Sequence, residues 1–176
     1  MMRPRVIPVL ITAAITASVL FGGWAIYNQV AIAAPLDKVV NDVDGVISSG
    51  KPVMTKDNVV IDVVLDPDAN VRAVYEAIAA NGSGVFGDRK LELNIETKSD
   101  KQLDDIWSKA LFQVAEAMET KTYSNIPGAV KEAAAGSVDV SVSTEMDDNN
   151  VYVTLKNGDT VKYIVLPRNP AMLEVW

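Results

Sequence analysis

The sequence predicts an α+β protein, in which a single N-terminal transmembrane helix is followed by one domain of mixed or antiparallel sheet with helices packed on one face. Three observations support this prediction. The chain begins with a long uncharged stretch, its middle contains segments whose apolar residues recur at helical spacing, and its last third alternates apolar and polar residues as strands do. The predicted order of elements in the domain is β-α-β-α-(α)-β-β-β, which is typical of a layered α+β architecture.

The uncharged stretch extends from Val6 to Leu36. Its first part, Val6–Ile26, has about the 20 residues that a helix needs to cross ~30 Å of hydrocarbon. Arg3 and Arg5 precede it and acidic residues follow it, so the positive-inside rule predicts a cytoplasmic N-terminus and a domain outside the membrane.

The predicted organisation divides the chain into four parts. They are a cytoplasmic N-terminus (1–5), a transmembrane signal anchor in contact with membrane lipid (6–27), a juxtamembrane amphipathic helix and linker (28–52), and an extracytoplasmic domain (53–176). An alternative stays open, because Ala31-Ile32-Ala33 has the A-x-A form of a signal-peptide cleavage site. Cleavage near Ala33 would give a secreted protein instead of a membrane protein of single-pass topology.

The juxtamembrane helix is predicted from apolar residues that follow helical spacing up to Ser48-Ser49-Gly50. These residues are Leu36, Val39, Val40, Val43, Val46 and Ile47. Four of them (Leu36, Val39, Val43 and Val46) alternate by three, four and three residues, which is the spacing of a coiled-coil seam.

The first half of the domain reads as strand, helix and strand. Val59–Leu65 is an apolar run that predicts a buried strand, and Leu91–Ile95 alternates as a half-exposed strand does. Between them, Asp66-Pro67 predicts the start of a helix and Asn81-Gly82 its end. Asp62 interrupts the buried strand, and we expect its side chain to point outward.

The strongest helix signal follows. Ser99 and Gln102 form a capping box. A wide apolar stripe then predicts one face against the core, with Trp107 in its middle. The stripe consists of Leu103, Ile106, Trp107, Ala110, Leu111, Val114, Ala115 and Met118. A shorter helix is predicted over 128–135.

The last third predicts a three-stranded meander, and matching the apolar rows predicts its two turns. A four-residue loop, Asp147–Asn150, sets Met146 opposite Val151. A three-residue loop, Lys156–Gly158, sets Val153 opposite Val161. The second loop predicts a bulged turn with Gly158 in the left-handed conformation.

Composition restricts the chemistry. The 176 residues include no cysteine and no histidine, and the formal net charge is −7. Thiolate nucleophiles, disulfides and histidine-based triads are therefore excluded, and the acidic balance disfavours nucleic acid as a partner. No pattern indicates a cofactor, a metal site or catalytic residues.

Two sets of residues are candidate sites. Small side chains recur every fourth residue in the predicted anchor, which favours close helix packing in a membrane and a homodimer. This possible helix-helix interface is Ala14, Ser18 and Gly22. The second set is a ligand loop for a small molecule or ion, formed by Gly82, Gly84, Gly87, Asp147 and Asp148. Gly82–Gly87 matches G-x-G-x-x-G but lacks the preceding strand of a dinucleotide site.

These features predict a membrane-anchored extracytoplasmic domain without catalytic activity, which binds another protein of the cell envelope or a second copy of itself. One alternative is an exported module that binds a small ligand or ion. The other is a hydrolase that relies on carboxylates.

Overall fold

The computed structural model of the protein describes residues 14–23 and 34–168. Its helices are α1 (residues 14–23), α2 (Ala34–Asn41), α3 (Val71–Phe86), α4 (Lys101–Glu119) and α5 (Ile126–Ala133), with a 3-10 turn at Tyr123–Asn125. Its strands are β1 (Val46–Ser49), β2 (Val53–Met54), β3 (Asn58–Leu65), β4 (Lys90–Glu96), β5 (Val140–Met146), β6 (Asn150–Asn157) and β7 (Thr160–Pro167).

The chain is an α+β protein, as predicted, and from β3 onward the order of elements is the predicted one. Within the described residues, no helix is both long enough and apolar enough to cross a membrane. The two ends of the predicted span, residues 6–13 and 24–27, lie outside those residues.

The strands form two sheets rather than one. In the first, β4 runs parallel to β3 along one edge, while β1 and β2 pair antiparallel with the two halves of its other edge. The second is the antiparallel meander β5-β6-β7. One backbone bridge between Lys98 and Val161 connects the sheets.

Each sheet has its own apolar core. The first is centred on Ile61 and Ile78 and includes Tyr152 and Tyr163 from the second sheet. The second is formed between α4, α5 and the opposite face of β6, with Leu103 and Leu155 at its centre. Both faces of the second sheet are therefore buried in its middle.

The juxtamembrane prediction was wrong beyond Asn41. The helix ends there, and Val46–Ser49 instead pairs with β3. Leu36 and Val43 of the proposed coiled-coil seam are buried in the first core and Val46 packs against it, so the seam packs within its own chain. The folded unit therefore includes α2 and β1, and a boundary at Val53 falls inside it.

The β6–β7 register differs from the prediction. Val153 lies opposite Ile164, not Val161, and the loop is the two residues Gly158-Asp159. Gly158 has the predicted positive φ of 58°. The prediction assumed one buried face, whereas Val153 and Val161 face different cores. The other loop is as predicted, with Met146 opposite Val151.

The residues that cap α3 and α4 also differ from the predicted ones. The cap of α3 is Asn70, whose side chain accepts a hydrogen bond from the Ala73 amide, and Asp66 forms a turn before it. Asp100, not Ser99, caps α4 by accepting from Leu103 at 2.9 Å. A carboxylate is a strong acceptor for the free amides of a first helical turn.

The apolar stripe of α4 is narrower than predicted. Ala117 is buried, but Leu111 is 44% exposed and Ala115 is exposed. Trp107 is half-buried at the edge of the second core. Phe112, outside the predicted stripe, is 82% exposed. Asp62, in contrast, points outward as predicted and accepts a hydrogen bond from Asn94.

Candidate interaction site

The outer edge of β5 is the first feature of this site. Strand β5 pairs with β6 on one side, and no other strand among residues 14–23 and 34–168 pairs with it. The amide of Asp147 donates to the carbonyl of Asn150 at 3.0 Å. Because backbone bonds alternate along an antiparallel pair, Ser141, Ser143 and Glu145 bond towards β6. The backbone groups of Val140, Val142, Thr144 and Met146 therefore point away from the sheet.

The side chains of β5 divide between its two faces. Val140 and Val142 are partly buried against the second core, while Ser141 and Ser143 are exposed on the other face. At the ends of the strand, Val138 is 76% exposed and Met146 is 44% exposed. The edge thus combines free hydrogen-bonding groups with accessible apolar side chains, which is the combination that lets a sheet accept another strand.

The β5–β6 turn is held rigidly by Asp147. Its Oδ1 accepts from the amides of Asn149 at 2.7 Å and Asn150 at 2.6 Å, and its Oδ2 accepts from the hydroxyl of Tyr152 at 2.6 Å. Burial raises the pKa of Asp147, but these three donors outweigh burial and leave the pKa below its ordinary value. Both carboxylate oxygens are therefore engaged in holding the turn.

Tyr152 and Asn150 complete this arrangement. The Tyr152 hydroxyl accepts from the side-chain amide of Asn150 at 3.1 Å, and its ring meets that of Tyr75 edge-on. Burial, together with the hydrogen bond to the Asp147 carboxylate, raises the pKa of Tyr152. Tyr152 therefore stays a neutral donor at physiological pH.

Arg168 joins the end of β7 to the same turn. Its amide donates to the carbonyl of Asn149 at 2.8 Å, and its Nη1 donates to the carbonyl of Asp147 at 2.7 Å. Its guanidinium carbon lies 4.7 Å from the centre of the Tyr123 ring, a cation–π contact. The chain therefore leaves β7 beside the 3-10 turn.

An apolar groove opens between that turn and β5. It has a volume of about 250 Å³. Its lining residues are Tyr123, Ser124, Ile126, Pro127, Thr144, Glu145, Met146 and Val151. Pockets for small-molecule ligands usually hold about 300–1,000 Å³. The groove suits one or two large apolar side chains better than a complete ligand.

A polar cleft lies on the other face of β5, beside the first turn of α3, and has a volume of about 260 Å³. Its polar groups bind one another. Lys156 pairs with Asp68, and the side-chain amide of Asn70 donates to Glu145 at 3.0 Å. The contact between Asn70 and Glu145 holds β5 against the start of α3, and the pair of Lys156 with Asp68 holds β6 there.

The predicted ligand loop is not assembled. Gly82 and Gly84 lie within α3, and Gly87 follows its last residue with a φ of 60°. Asp147 lies near the opposite end of α3, close to Arg72, and Asp148 follows it in the exposed turn. A helix of 16 residues separates the two ends by roughly 24 Å. Among residues 14–23 and 34–168, no group of acidic side chains could hold a metal ion.

Gly82 instead has a packing role. It is buried, and a Cβ added there would lie 2.2 Å from the ring of Phe86, which folds back over it. A Cβ on Gly84 would meet nothing within 4 Å. Gly82 therefore allows Phe86 to pack closely against its own helix, whereas Gly84 has no packing role.

The small residues of the predicted anchor lie in α1. Ala14, Ser18 and Gly22 are exposed, and the Ser18 hydroxyl donates to the carbonyl of Ala14 at 2.9 Å. That bond satisfies the hydroxyl within its own helix, and a Cβ on Gly22 would have open space. Their role in helix packing stays a prediction.

Sequence reasoning did not identify the edge of β5, Tyr123 or Arg168 as parts of one site. The order of strands in the meander could have indicated β5 as an edge, because its first strand has one predicted neighbour. The contact between Arg168 and Tyr123 had no local signal. No protein-family model, curated protein or solved structure matches the chain.

Proposed function

We propose that the chain is a membrane-tethered assembly domain that acts outside the membrane, without catalysis, and associates with a second copy of itself through the edge of β5. The observation that carries the proposal is the free β5 edge, held in place by the Asp147 turn and by the contact between Asn70 and Glu145. The uncharged stretch Val6–Ile26 supports the tether and the topology.

A second copy is the partner that this edge fits. Two β5 strands that overlap along their full length around a two-fold axis place Ser143 opposite Ser143 of the other copy. In this register Val142 lies beside Thr144 and Val140 beside Met146, so the apolar row continues across the junction. On the other face Ser141 lies beside Glu145, and no two like charges are directly opposed.

Net charge gives the association a characteristic salt dependence. Each copy carries a formal charge of −7, so two copies repel one another over long distances. At physiological ionic strength the screening length is about 8 Å, which weakens this repulsion but not the short-range pairing of strands. Dimer formation should therefore increase between low and physiological salt. A partner of basic charge would show the opposite trend.

The test is the oligomeric state of the full chain in lipid nanodiscs or mild detergent. Ser143→Lys places two positive charges opposite one another at the centre of the junction, and it should reduce the dimer fraction at least about tenfold, a change of about 1.4 kcal/mol. Ser108→Lys is the matched control, because Ser108 is exposed on α4 and the change in charge is identical.

Other outcomes identify other interfaces. Loss of the dimer in Ser108→Lys but not in Ser143→Lys would place the interface on the exposed face of α4, near Phe112. A chain that is monomeric at all salt concentrations, and whose β5 edge is protected only after a different envelope protein is added, would show that the partner is another protein.

A further inference from the structure

We propose that the apolar groove beside the 3-10 turn is the docking site of this chain's own residues 169–176. The inference goes beyond the proposed function, since it concerns one copy of the chain and a surface on the face of the sheet, not the edge that would pair. Its basis is the position at which Arg168 holds the chain, the chemistry of the groove, and the composition of the segment that follows.

Position is the first step. Arg168 is fixed by its amide and its guanidinium to three carbonyl groups of the β5–β6 turn. Its guanidinium lies over Tyr123, which forms one wall of the groove. Arg168, the last of the described residues, therefore lies at the rim of the groove. Three to five further residues in an extended chain span about 10–17 Å, enough to cross a groove of this size.

Chemistry is the second step. Ile126, Pro127, Met146 and Val151 line the groove, and Met146 is 44% exposed although it belongs to a strand beside the second core. Residues 169–176 read Asn-Pro-Ala-Met-Leu-Glu-Val-Trp, with Met172, Leu173, Val175 and Trp176 apolar. Burying two of these side chains in the groove would remove their apolar surface from water, which favours docking.

The third step is a buried polar atom. Nε of Arg168 is buried and has no hydrogen-bond partner among the described residues. A buried donor without a partner destabilises the folded chain. A backbone carbonyl of the segment that crosses the rim would satisfy it.

The absence of cysteine from the sequence makes a direct test practical. Ser124 is exposed on the groove wall, and Lys131 is exposed at the end of α5 away from it. Two double variants of the full chain, Ser124→Cys with Glu174→Cys and Lys131→Cys with Glu174→Cys, are treated with a short bifunctional thiol reagent. The Ser124 pair should crosslink within one chain about tenfold faster than the Lys131 pair, which corresponds to about 1.4 kcal/mol.

A third substitution tests the groove itself. Met146→Asp in the Ser124 pair should remove the difference in rate, whereas Val138→Asp, at an exposed apolar site outside the groove, should preserve it. Equal rates for the two cysteine pairs would overturn the proposal. So would a crosslink found only between chains in a mixture of single-cysteine variants, because a second copy's segment would then occupy the groove. Neither result depends on whether β5 pairs with another β5.

Discussion

At the scale of single residues, Asp147 shows how one side chain can define a surface. The sequence placed it in a turn and offered it as an ion ligand, but its two oxygens accept three hydrogen bonds from the turn and from Tyr152. The carboxylate thus fixes the end of β5. The Arg168 side chain, from the end of β7, binds the same turn by donating hydrogen bonds to the turn's backbone carbonyl groups.

The lowered pKa of Asp147 predicts a loss of stability in acid. Its pKa in the folded chain is below the ordinary value of about 3.9, so its contribution is complete above that value and is lost as pH falls through the folded pKa. Asp147→Asn should therefore flatten the fall in unfolding free energy between about pH 5 and pH 2. Asp148→Asn makes the same change in charge at an exposed neighbour. If both variants titrate as the unmodified chain does, Asp147 does not stabilise the turn through its charge.

At the scale of elements, β3 and the two hairpins of the meander show which sequence patterns predicted the structure correctly. Strand β3 was predicted from a continuous apolar run, and the pairing of Met146 with Val151 was predicted from one alternating row. The β6–β7 register was not, because Val151, Val153 and Leu155 face one core while Val161 and Tyr163 face the other. Alternation alone does not show that both faces of a strand are covered. Contacts distant in sequence, such as Arg168 with Tyr123, leave no periodic signal at all.

Helix α3 offers a matched pair of substitutions that should change the free energy of unfolding in opposite directions. Gly84→Ala is unobstructed, so the better helix propensity of alanine should raise the unfolding free energy by about 0.5–1 kcal/mol. Gly82→Ala has the same intrinsic gain, but the new methyl group must displace the ring of Phe86, which is 4% exposed. A net loss of about 1–3 kcal/mol is expected. Denaturant unfolding of both variants measures this, and a stabilised Gly82→Ala would show that Phe86 moves freely.

At the scale of the whole molecule, the folded unit begins earlier in the chain than the sequence predicted. Helix α2 and strand β1 were expected to be a linker between membrane and domain, yet Leu36 and Val40 are fully buried and β1 completes the first sheet. Because the predicted coiled-coil seam is buried within the chain, α1 and the edge of β5 remain as the surfaces that we propose for association.

The extent of the folded unit predicts the behaviour of fragments. A fragment of residues 34–176 should unfold cooperatively. A fragment of residues 53–176 lacks Leu36 and Val40, and losing two fully buried aliphatic side chains costs about 3–6 kcal/mol even before the loss of β1 is counted. Thermal unfolding followed by circular dichroism compares the two. Equal midpoints would mean that α2 and β1 only lie on a core that is complete without them.

The small residues of α1 predict a second contribution to the dimer. Gly22→Leu introduces a large side chain into a face that helices need in order to approach closely, and it should lower the yield of crosslinked dimer in membranes. Leu20, also exposed on α1, provides the control as Leu20→Ala. If Gly22→Leu dimerises as the unmodified chain does, α1 contributes only the tether.

The pairing of two β5 strands is the central claim, and cysteine scanning of β5 in the full chain in membranes tests it most directly. With Ser143 opposite Ser143, the two Cα atoms lie about 4.5–5.5 Å apart, within the range of about 4.4–6.8 Å that a disulfide between Ser143→Cys residues requires. Ser141→Cys, on the same face of the same strand, lies opposite Glu145 and should not form a disulfide. Mild oxidation should therefore give a covalent dimer for Ser143→Cys and a monomer for Ser141→Cys. Equal yields for the two variants, or no dimer for either, would contradict the account.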